Sequence, residues 1–215
     1  MTRTGTIPTE RVEDAHPEDA RLPERIEAAL SHFLERRRAD TAAIDHVFAE
    51  AADVLVQFVL GGGKRIRPTF AWWGWRGAGG SPDAPDVLTA ISALELVQAC
   101  ALIHDDLMDA SATRRGRPTV HVGFARRHAG AGWHGHPARF GAAAAIILGD
   151  LALVWADDML RSAGLPPDAS ARATVPWQAM RTEVLGGQYL DVLVQATGDT
   201  SAHAALQIDR YKTAA

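Results

Sequence analysis

Three aspartates and three arginines stand close together in LIHDDLMDASATRRGRPTVH, residues 102–121. Asp105 and Asp109 are four residues apart, so on a helix their carboxylates share one face, with Cα atoms about 6 Å apart. Oxygen ligands in such a pair suit Mg²⁺, which commonly takes one or two carboxylates and completes its shell with water and phosphate oxygens. Alone, the spacing predicts a metal-bound phosphate site and a solvated acidic helix end equally well.

Cationic side chains precede and follow this acidic pair, and they are Lys64, Arg65, Arg67, Arg114, Arg115 and Arg117. The first three belong to the loop GGGKRIRP, in which Gly61–Gly63 allow the backbone to approach an anion closely. A helix beginning near Pro68 would add a favourable dipole. Gln98 precedes Asp105 by two helical turns on much the same face. Two cationic loops beside an acidic helix face favour a site for phosphate groups.

Apolar residues recur at spacings of three and four along most of the chain, which predicts an all-α fold. A long helix is predicted for residues 86–109, and another apolar helix is predicted to begin near Phe140. DASATRRGRP is predicted to be a loop, with Pro118 at the start of the next helix. Residues 1–20 are predicted to form a disordered N-terminal arm, and residues 21–215 form one domain.

Composition excludes several classes of protein. A net charge of −4 argues against a nucleic-acid partner. The single cysteine, Cys100, fits a reducing compartment, and the polar N-terminus does not resemble a signal peptide, so we expect a cytoplasmic protein. Acidic residues interrupt the most apolar run, which predicts a buried helix and no membrane span. Asp157 and Asp158 lack a third acid and are predicted to form a solvated turn.

Four motifs in order, GGGKRIRP, LELVQACALIHDDLMDASATRRGRPTVH, GGQYLD and YKTA, resemble the trans-isoprenyl diphosphate synthases, or polyprenyl synthetases, and in particular bacterial geranylgeranyl diphosphate synthases. The resemblance runs from about residue 24 to the last residue. It implies a homodimer of long helices around a central cavity. It also implies Mg²⁺-dependent, head-to-tail condensation of isopentenyl diphosphate with an allylic diphosphate, namely the dimethylallyl, geranyl or farnesyl compound.

The resemblance also implies a role for individual residues. Asp105 and Asp109 would hold Mg²⁺ on the allylic diphosphate. The isopentenyl diphosphate would be bound by Lys64, Arg67 and Arg115, with Gln98 nearby. Arg114 and Lys212 match positions that hold the allylic diphosphate, and Thr213 and Gln188 match positions beside the reacting carbons.

The chain departs from the family pattern in one respect. Family members carry a second aspartate-rich motif beyond YKTA, whereas this sequence ends at Ala215. We therefore expect a C-terminally incomplete domain that is a poor catalyst alone. Two alternatives stay open: a non-catalytic or regulatory subunit or fragment of a prenyl synthase, and a class I terpene cyclase. A cyclase needs no second diphosphate site, so the two cationic loops favour the synthase.

Product length depends on the side chains beside the growing hydrocarbon tail. Cys100 and Ala101 precede Asp105 by about one helical turn, where family members that stop at fifteen carbons commonly carry bulky aromatic residues. Both side chains are small here, which predicts a twenty-carbon product, geranylgeranyl diphosphate, with longer chains as the alternative.

Overall fold

A computed structural model of the chain describes residues 16–212, almost all of them in helices. In chain order the elements are α1 Pro17–Ala20, α2 Leu22–Ile44, α3 His46–Leu60, α4 Ile66–Gly77, α5 Pro85–Ser92, α6 Leu94–Met108, β1 Thr113–Arg114, β2 Arg117–Pro118, α7 Val120–Ala131, α8 Pro137–Arg161, α9 Pro167–Thr197 and α10 Ala202–Lys212. The predicted all-α bundle of long helices is confirmed.

The hydrophobic core forms where the apolar faces of these helices meet. On α2 the fully buried side chains of Ile26, Leu30 and Leu34 recur every four residues, on one face of the helix. Helix α6 packs against α8, and α8 packs against α7. Asp45 separates α2 from α3, because its carboxylate accepts a hydrogen bond of 2.7 Å from the Val47 amide and so caps α3.

The helix predicted for residues 86–109 is in fact two helices, α5 and α6, with a break at Ala93. The Ser92 hydroxyl donates a hydrogen bond of 2.7 Å to the Leu88 carbonyl, a contact that bends helices. The Ala93 amide then bonds to the Ala90 carbonyl in a tighter turn. The helix is therefore interrupted at Ala93, and the last turn of α6 carries the acidic residues.

The basic segment after α6 is a β-hairpin, where the sequence predicted a loop. Thr113 pairs with Pro118 and Arg114 with Arg117. The two residues at the turn, Arg115 and Gly116, have φ values of 51° and 75°. Positive φ at both positions is characteristic of the type I′ turn, whose twist matches that of paired strands. Helix α7 consequently begins at Val120, after Pro118.

Helical order starts at Pro17, before the predicted domain boundary at residue 20. The Asp19 carboxylate is buried, and it accepts hydrogen bonds of 2.7 Å from the Trp72 indole and 3.1 Å from the Arg76 guanidinium. These contacts attach α1 to α4. The predicted disordered arm is therefore wrong for Pro17–Ala20, and residues 1–15 lie outside the described residues.

Two stretches of the described chain, Pro85–Met108 and Pro137–Arg161, are long and apolar enough to cross a membrane by length and composition. Half of the first apolar segment and 39% of the second is buried inside the bundle. Core helices of compact proteins meet the same criterion, so these two give only weak evidence of membrane insertion. The absence of a membrane span stays a prediction.

The contact between α1 and α4 can be tested with Asp19→Ala. This change leaves the buried donors of Trp72 and Arg76 without their acceptor, so the free energy of unfolding should fall by about 1–3 kcal/mol. Asp53→Ala is the matched control, since it removes a more exposed ion pair with Arg38 and should cost less than about 1 kcal/mol. Denaturant titration measures both, and equal losses would contradict the role of Asp19.

Candidate active site

The three aspartates at the end of α6 have different surroundings. Asp106 is only 2% exposed, and Arg114 binds it with two hydrogen bonds, Nε to Oδ2 at 2.7 Å and Nη2 to Oδ1 at 2.8 Å. This paired geometry compensates the cost of burying a carboxylate. The bond to Asp106 also raises the pKa of Arg114. Asp106, to which the sequence analysis assigned no role, therefore holds Arg114 beside Asp105 and Asp109.

Asp105 is the point at which α6, α9 and α10 meet. Its Oδ1 accepts hydrogen bonds of 2.9 Å from Lys212 Nζ and 3.1 Å from Gln188 Nε2. Lys212 also donates to Asp191 on α9. Burial works against the charge on Lys212, but the two carboxylates outweigh it and raise its pKa, so the ammonium stays charged. The structure thus brings together three residues that the resemblance assigned separately: Asp105, Gln188 and Lys212.

The carboxylate oxygens that remain are suited to a hard cation. Arg114 approaches Asp105 Oδ2 only to 3.7 Å, and Asp109 is exposed at the end of α6. Among residues 16–212 no group of three or more His, Cys, Asp or Glu side chains forms a metal site. Two carboxylates nevertheless fit Mg²⁺, which takes its remaining ligands from water and phosphate. The predicted pair can therefore supply part of a Mg²⁺ shell.

The two cationic loops meet beside α6. Arg115 donates a hydrogen bond to the Gly62 carbonyl, which links the hairpin to the glycine-rich loop. Between α3, α6 and α7 the loops enclose a cavity of about 520 Å³, whose polar lining includes Arg65, Glu95, Gln98, Arg114, Arg115, Arg117 and Arg127. Lys64 is exposed on the glycine-rich loop and Arg67 is half-buried at the start of α4. Neither belongs to the lining of this cavity.

Arg65 points inward and anchors the glycine-rich loop. It is 5% exposed, has a φ of 48°, and forms ion pairs of 2.7 Å with Glu95 and 2.5 Å with Glu27. Burial opposes its charge, but the hydrogen bonds that Arg65 donates to these glutamates give a net rise in its pKa. The sequence pattern predicts Arg65 among the phosphate-binding cations, whereas the structure pairs it with Glu27 on α2 and Glu95 on α6.

A second, narrower cleft lies between α6, α8 and α9, with a volume of about 40 Å³. Its lining is Val97, Cys100, Ala101, His104, Met108, Leu153, Arg181, Val184, Leu185 and Gln188. The predicted chain-length residues therefore both line a cleft that starts at Gln188. Burial, with the charge of Asp150, raises the pKa of the Cys100 thiol to about 11, so it stays protonated. Thr213 lies outside the described residues.

The predicted solvated turn at Asp157 and Asp158 is wrong, because both residues belong to α8. Asp157 Oδ1 accepts hydrogen bonds of 3.1 Å from the Trp177 indole and 3.0 Å from Arg181 Nη1. Burial opposes the charge of Asp157, but its hydrogen bonds with Arg161 and Trp177 lower its pKa overall. The contacts with Trp177 and Arg181 could not be predicted from local spacing, since both residues lie on α9, whereas Arg161 belongs to α8 itself.

These features are those of an all-α protein in which an acidic helix end lies beside two cationic loops. Residues 48–215 match the family model described as polyprenyl synthetase. The chain belongs to that family, as its motifs predicted.

A geranylgeranyl pyrophosphate synthase of Corynebacterium glutamicum, solved with isoprenyl diphosphate and magnesium, is similar over 89% of this chain, with 42% identity and a TM-score of 0.85. A geranylfarnesyl diphosphate synthase of Natronomonas pharaonis is 30% identical over 60% of the chain. A probable farnesyl diphosphate synthase of Sinorhizobium fredii is 34% identical over 78%. The chain spans 55%, 33% and 44% of these three proteins, respectively. Their names imply products of different length.

The position of Lys212 depends on Gly187. A Cβ atom at Gly187 would lie 2.2 Å from the Lys212 amide nitrogen on α10, whereas one at Gly186 would meet nothing within 4 Å. Gly187→Ala should therefore displace α10 and lower the free energy of unfolding. Gly186→Ala, the matched control, should be neutral or stabilising by up to about 1 kcal/mol, because alanine favours the helix.

Hydrogen exchange of the α10 amides, with denaturant titration, checks this pair of variants. Faster exchange in α10 is expected for Gly187→Ala alone. Unchanged exchange and stability in Gly187→Ala would show that the position of α10 does not depend on glycine at residue 187.

Proposed function

We propose that the protein is a prenyltransferase that joins isopentenyl diphosphate to an allylic diphosphate, head to tail. The observation that carries this proposal is the convergence of Asp105, Gln188 and Lys212 beside a cavity with arginines from two loops. Family membership and the names of the relatives support the same reaction class.

The allylic diphosphate would bind at the acidic end of α6, next to Arg114 and Lys212. Breaking its C–O bond leaves an allylic cation and a diphosphate that carries the developing negative charge. Both cationic side chains are held in place before reaction, Arg114 by Asp106 and Lys212 by Asp191. Charges that are already oriented stabilise the leaving group without the cost of reorganisation.

Asp105 and Asp109 are the residues that would hold Mg²⁺ at this end of α6. When bound, the metal would neutralise charge on the diphosphate leaving group. The structure of the Corynebacterium glutamicum protein with isoprenyl diphosphate and magnesium supports a requirement for Mg²⁺. In the same site, Gln188 and Lys212 both donate to Oδ1 of Asp105 and so keep this carboxylate in position.

Isopentenyl diphosphate would occupy the larger cavity. Arg115 and Arg117 supply positive charge at its mouth, and Gln98 lies on the α6 wall. Apolar side chains such as Phe58, Leu102 and Phe124 line the remainder and would exclude water from the double bond that attacks the cation. The new C–C bond forms, and a proton is then lost. A second diphosphate site of this kind favours the synthase over a terpene cyclase.

A twenty-carbon product, geranylgeranyl diphosphate, belongs to the same proposal. It is supported by the small side chains of Cys100 and Ala101 on the wall of the narrower cleft. A volume of about 40 Å³ is too small for a prenyl tail, so the tail must displace exposed side chains such as Met108 and Leu185. A homodimer in the cytoplasm stays a prediction.

Asp105→Ala in the full-length protein should abolish turnover. The fold should persist, because Arg114 still pairs with Asp106 and Lys212 still pairs with Asp191. Loss of this charge stabilisation should lower kcat by roughly 10²-fold or more. Asp40→Asn, at an exposed aspartate on α2, is the control and should retain full activity. Radiolabelled isopentenyl diphosphate measures turnover, and circular dichroism checks the fold. Full activity in a folded Asp105→Ala protein would refute the assignment.

Ala101→Phe tests the path of the tail. An aromatic ring there should fill the narrow cleft between α6 and α9, so the main product should shorten toward fifteen carbons. Condensation with short allylic diphosphates should continue, since Asp105 and its partners are unchanged. Chromatography of the dephosphorylated products measures the distribution, and an unchanged one would place the tail elsewhere.

A further inference from the structure

An ion pair lies at the end of the narrow cleft that is remote from Asp105. Arg181 lines this cleft together with Val184, Leu185 and Gln188 of the same helix. Gln188 contacts Asp105, and Arg181 precedes it by seven residues, about 10 Å along α9. A guanidinium is unusual in a cleft whose other lining residues are mostly apolar. Its placement therefore calls for a physical explanation.

The Arg181 side chain is held firmly in place. Its Nη1 is 3.0 Å from Asp157 Oδ1, and its guanidinium lies 5.7 Å from the centre of the Trp177 ring. The Trp177 indole donates to the same Asp157 oxygen, so α8 and α9 are joined at this level. Within residues 16–212, Arg181 Nε is buried and has no hydrogen-bond acceptor. This part of the side chain is already desolvated, while Asp157 balances the charge.

The opposite wall ends at a similar depth. On α6, Val97 is the lining residue farthest from the acidic end, eight residues before Asp105 and about 12 Å away. Cys100 and Ala101 lie between these two levels. The cleft therefore continues past the small side chains on α6 and ends at the level of Val97 and Arg181.

We propose that the Arg181–Asp157 ion pair is the floor of the prenyl-tail path and determines product length. This inference rests on the proposed prenyltransferase function. A tail that grows to this depth meets a charged group, and covering the guanidinium with hydrocarbon would remove its remaining water without a new partner. Further elongation is therefore disfavoured once the tail reaches Arg181. Asp157 acts as the positioning residue, because its carboxylate pairs with the guanidinium of Arg181.

The test is Arg181→Met in the full-length protein, because methionine keeps much of the side-chain length and removes the charge. The ratio of longer products to the wild-type main product should rise roughly tenfold, as expected when two or more extra CH₂ groups become buried. Arg181→Lys retains the charge and should restore the wild-type distribution. Arg161→Met is the matched control: Arg161 also pairs with Asp157 but is 74% exposed and outside the cleft lining.

Binding provides a second measurement that does not need turnover. Calorimetry with geranyl, farnesyl and geranylgeranyl diphosphates should show Arg181→Met binding the longest tail roughly tenfold more tightly than wild type, with the shortest unaffected. A wild-type protein that forms no product would refute the proposed function, whereas the affinities would still show whether Arg181 limits the length of the tail that the cleft binds. A folded Arg181→Met protein could instead give products of unchanged length and bind the three diphosphates with unchanged affinities. That result would refute the role of Arg181 as the floor and would leave the proposed function intact.

Discussion

The bidentate pair between Asp106 and Arg114 is the interaction on which the site depends. Asp106 is almost fully buried, and a buried carboxylate that loses its partner destabilises a protein strongly. Arg114 is therefore bound to the end of α6, and the β-hairpin that carries it is bound there too. The hairpin turn then presents Arg115 to the Gly62 carbonyl, so the glycine-rich loop is positioned through the same pair. The hairpin is thus ordered by the Asp106–Arg114 pair, and the glycine-rich loop is held both by its contact with Arg115 and by the ion pairs of Arg65 with Glu27 and Glu95.

The opposite side of the acidic end is built by a different means. Lys212 reaches Asp105 and Asp191 only because α10 passes very close to α9 at Gly187. The ammonium is surrounded by carboxylates before any ligand arrives, and Asp105 has one oxygen committed to protein donors. Its other oxygen and Asp109 are the more open groups. The positioned cations Lys212 and Arg114 therefore lie beside the last turn of α6, which carries the more open carboxylates.

Sequence periodicity was sufficient to predict the all-α fold, and the spacing of Asp105 and Asp109 predicted the acidic end. It was not sufficient for features that depend on competing local bonds or on distant partners. The hydroxyl of Ser92 interrupts a helix whose apolar pattern is continuous. The hairpin depends on a positive φ at Arg115, which the sequence favours only through Gly116. Asp157 looked solvated because Arg181, its partner, belongs to another helix.

The geometry of α6 explains why both cavities are reached from one acidic end. Successive residues are about 100° apart around a helix, so the lining residues of the larger cavity and of the narrow cleft fall on nearly opposite faces of α6. Gln98, Ala99 and Leu102 face the larger cavity, whereas Val97, Ala101 and His104 face the cleft.

Asp105 falls between these two faces by the same rotation, and it is the residue bound by Lys212 and Gln188. An allylic tail in the cleft and an isopentenyl group in the larger cavity would therefore be separated by α6 along most of its length. They could approach each other only at its C-terminal turn. Because the charged groups of α9, α10 and the hairpin are concentrated at that turn, the proposed bond would form where the leaving group is stabilised.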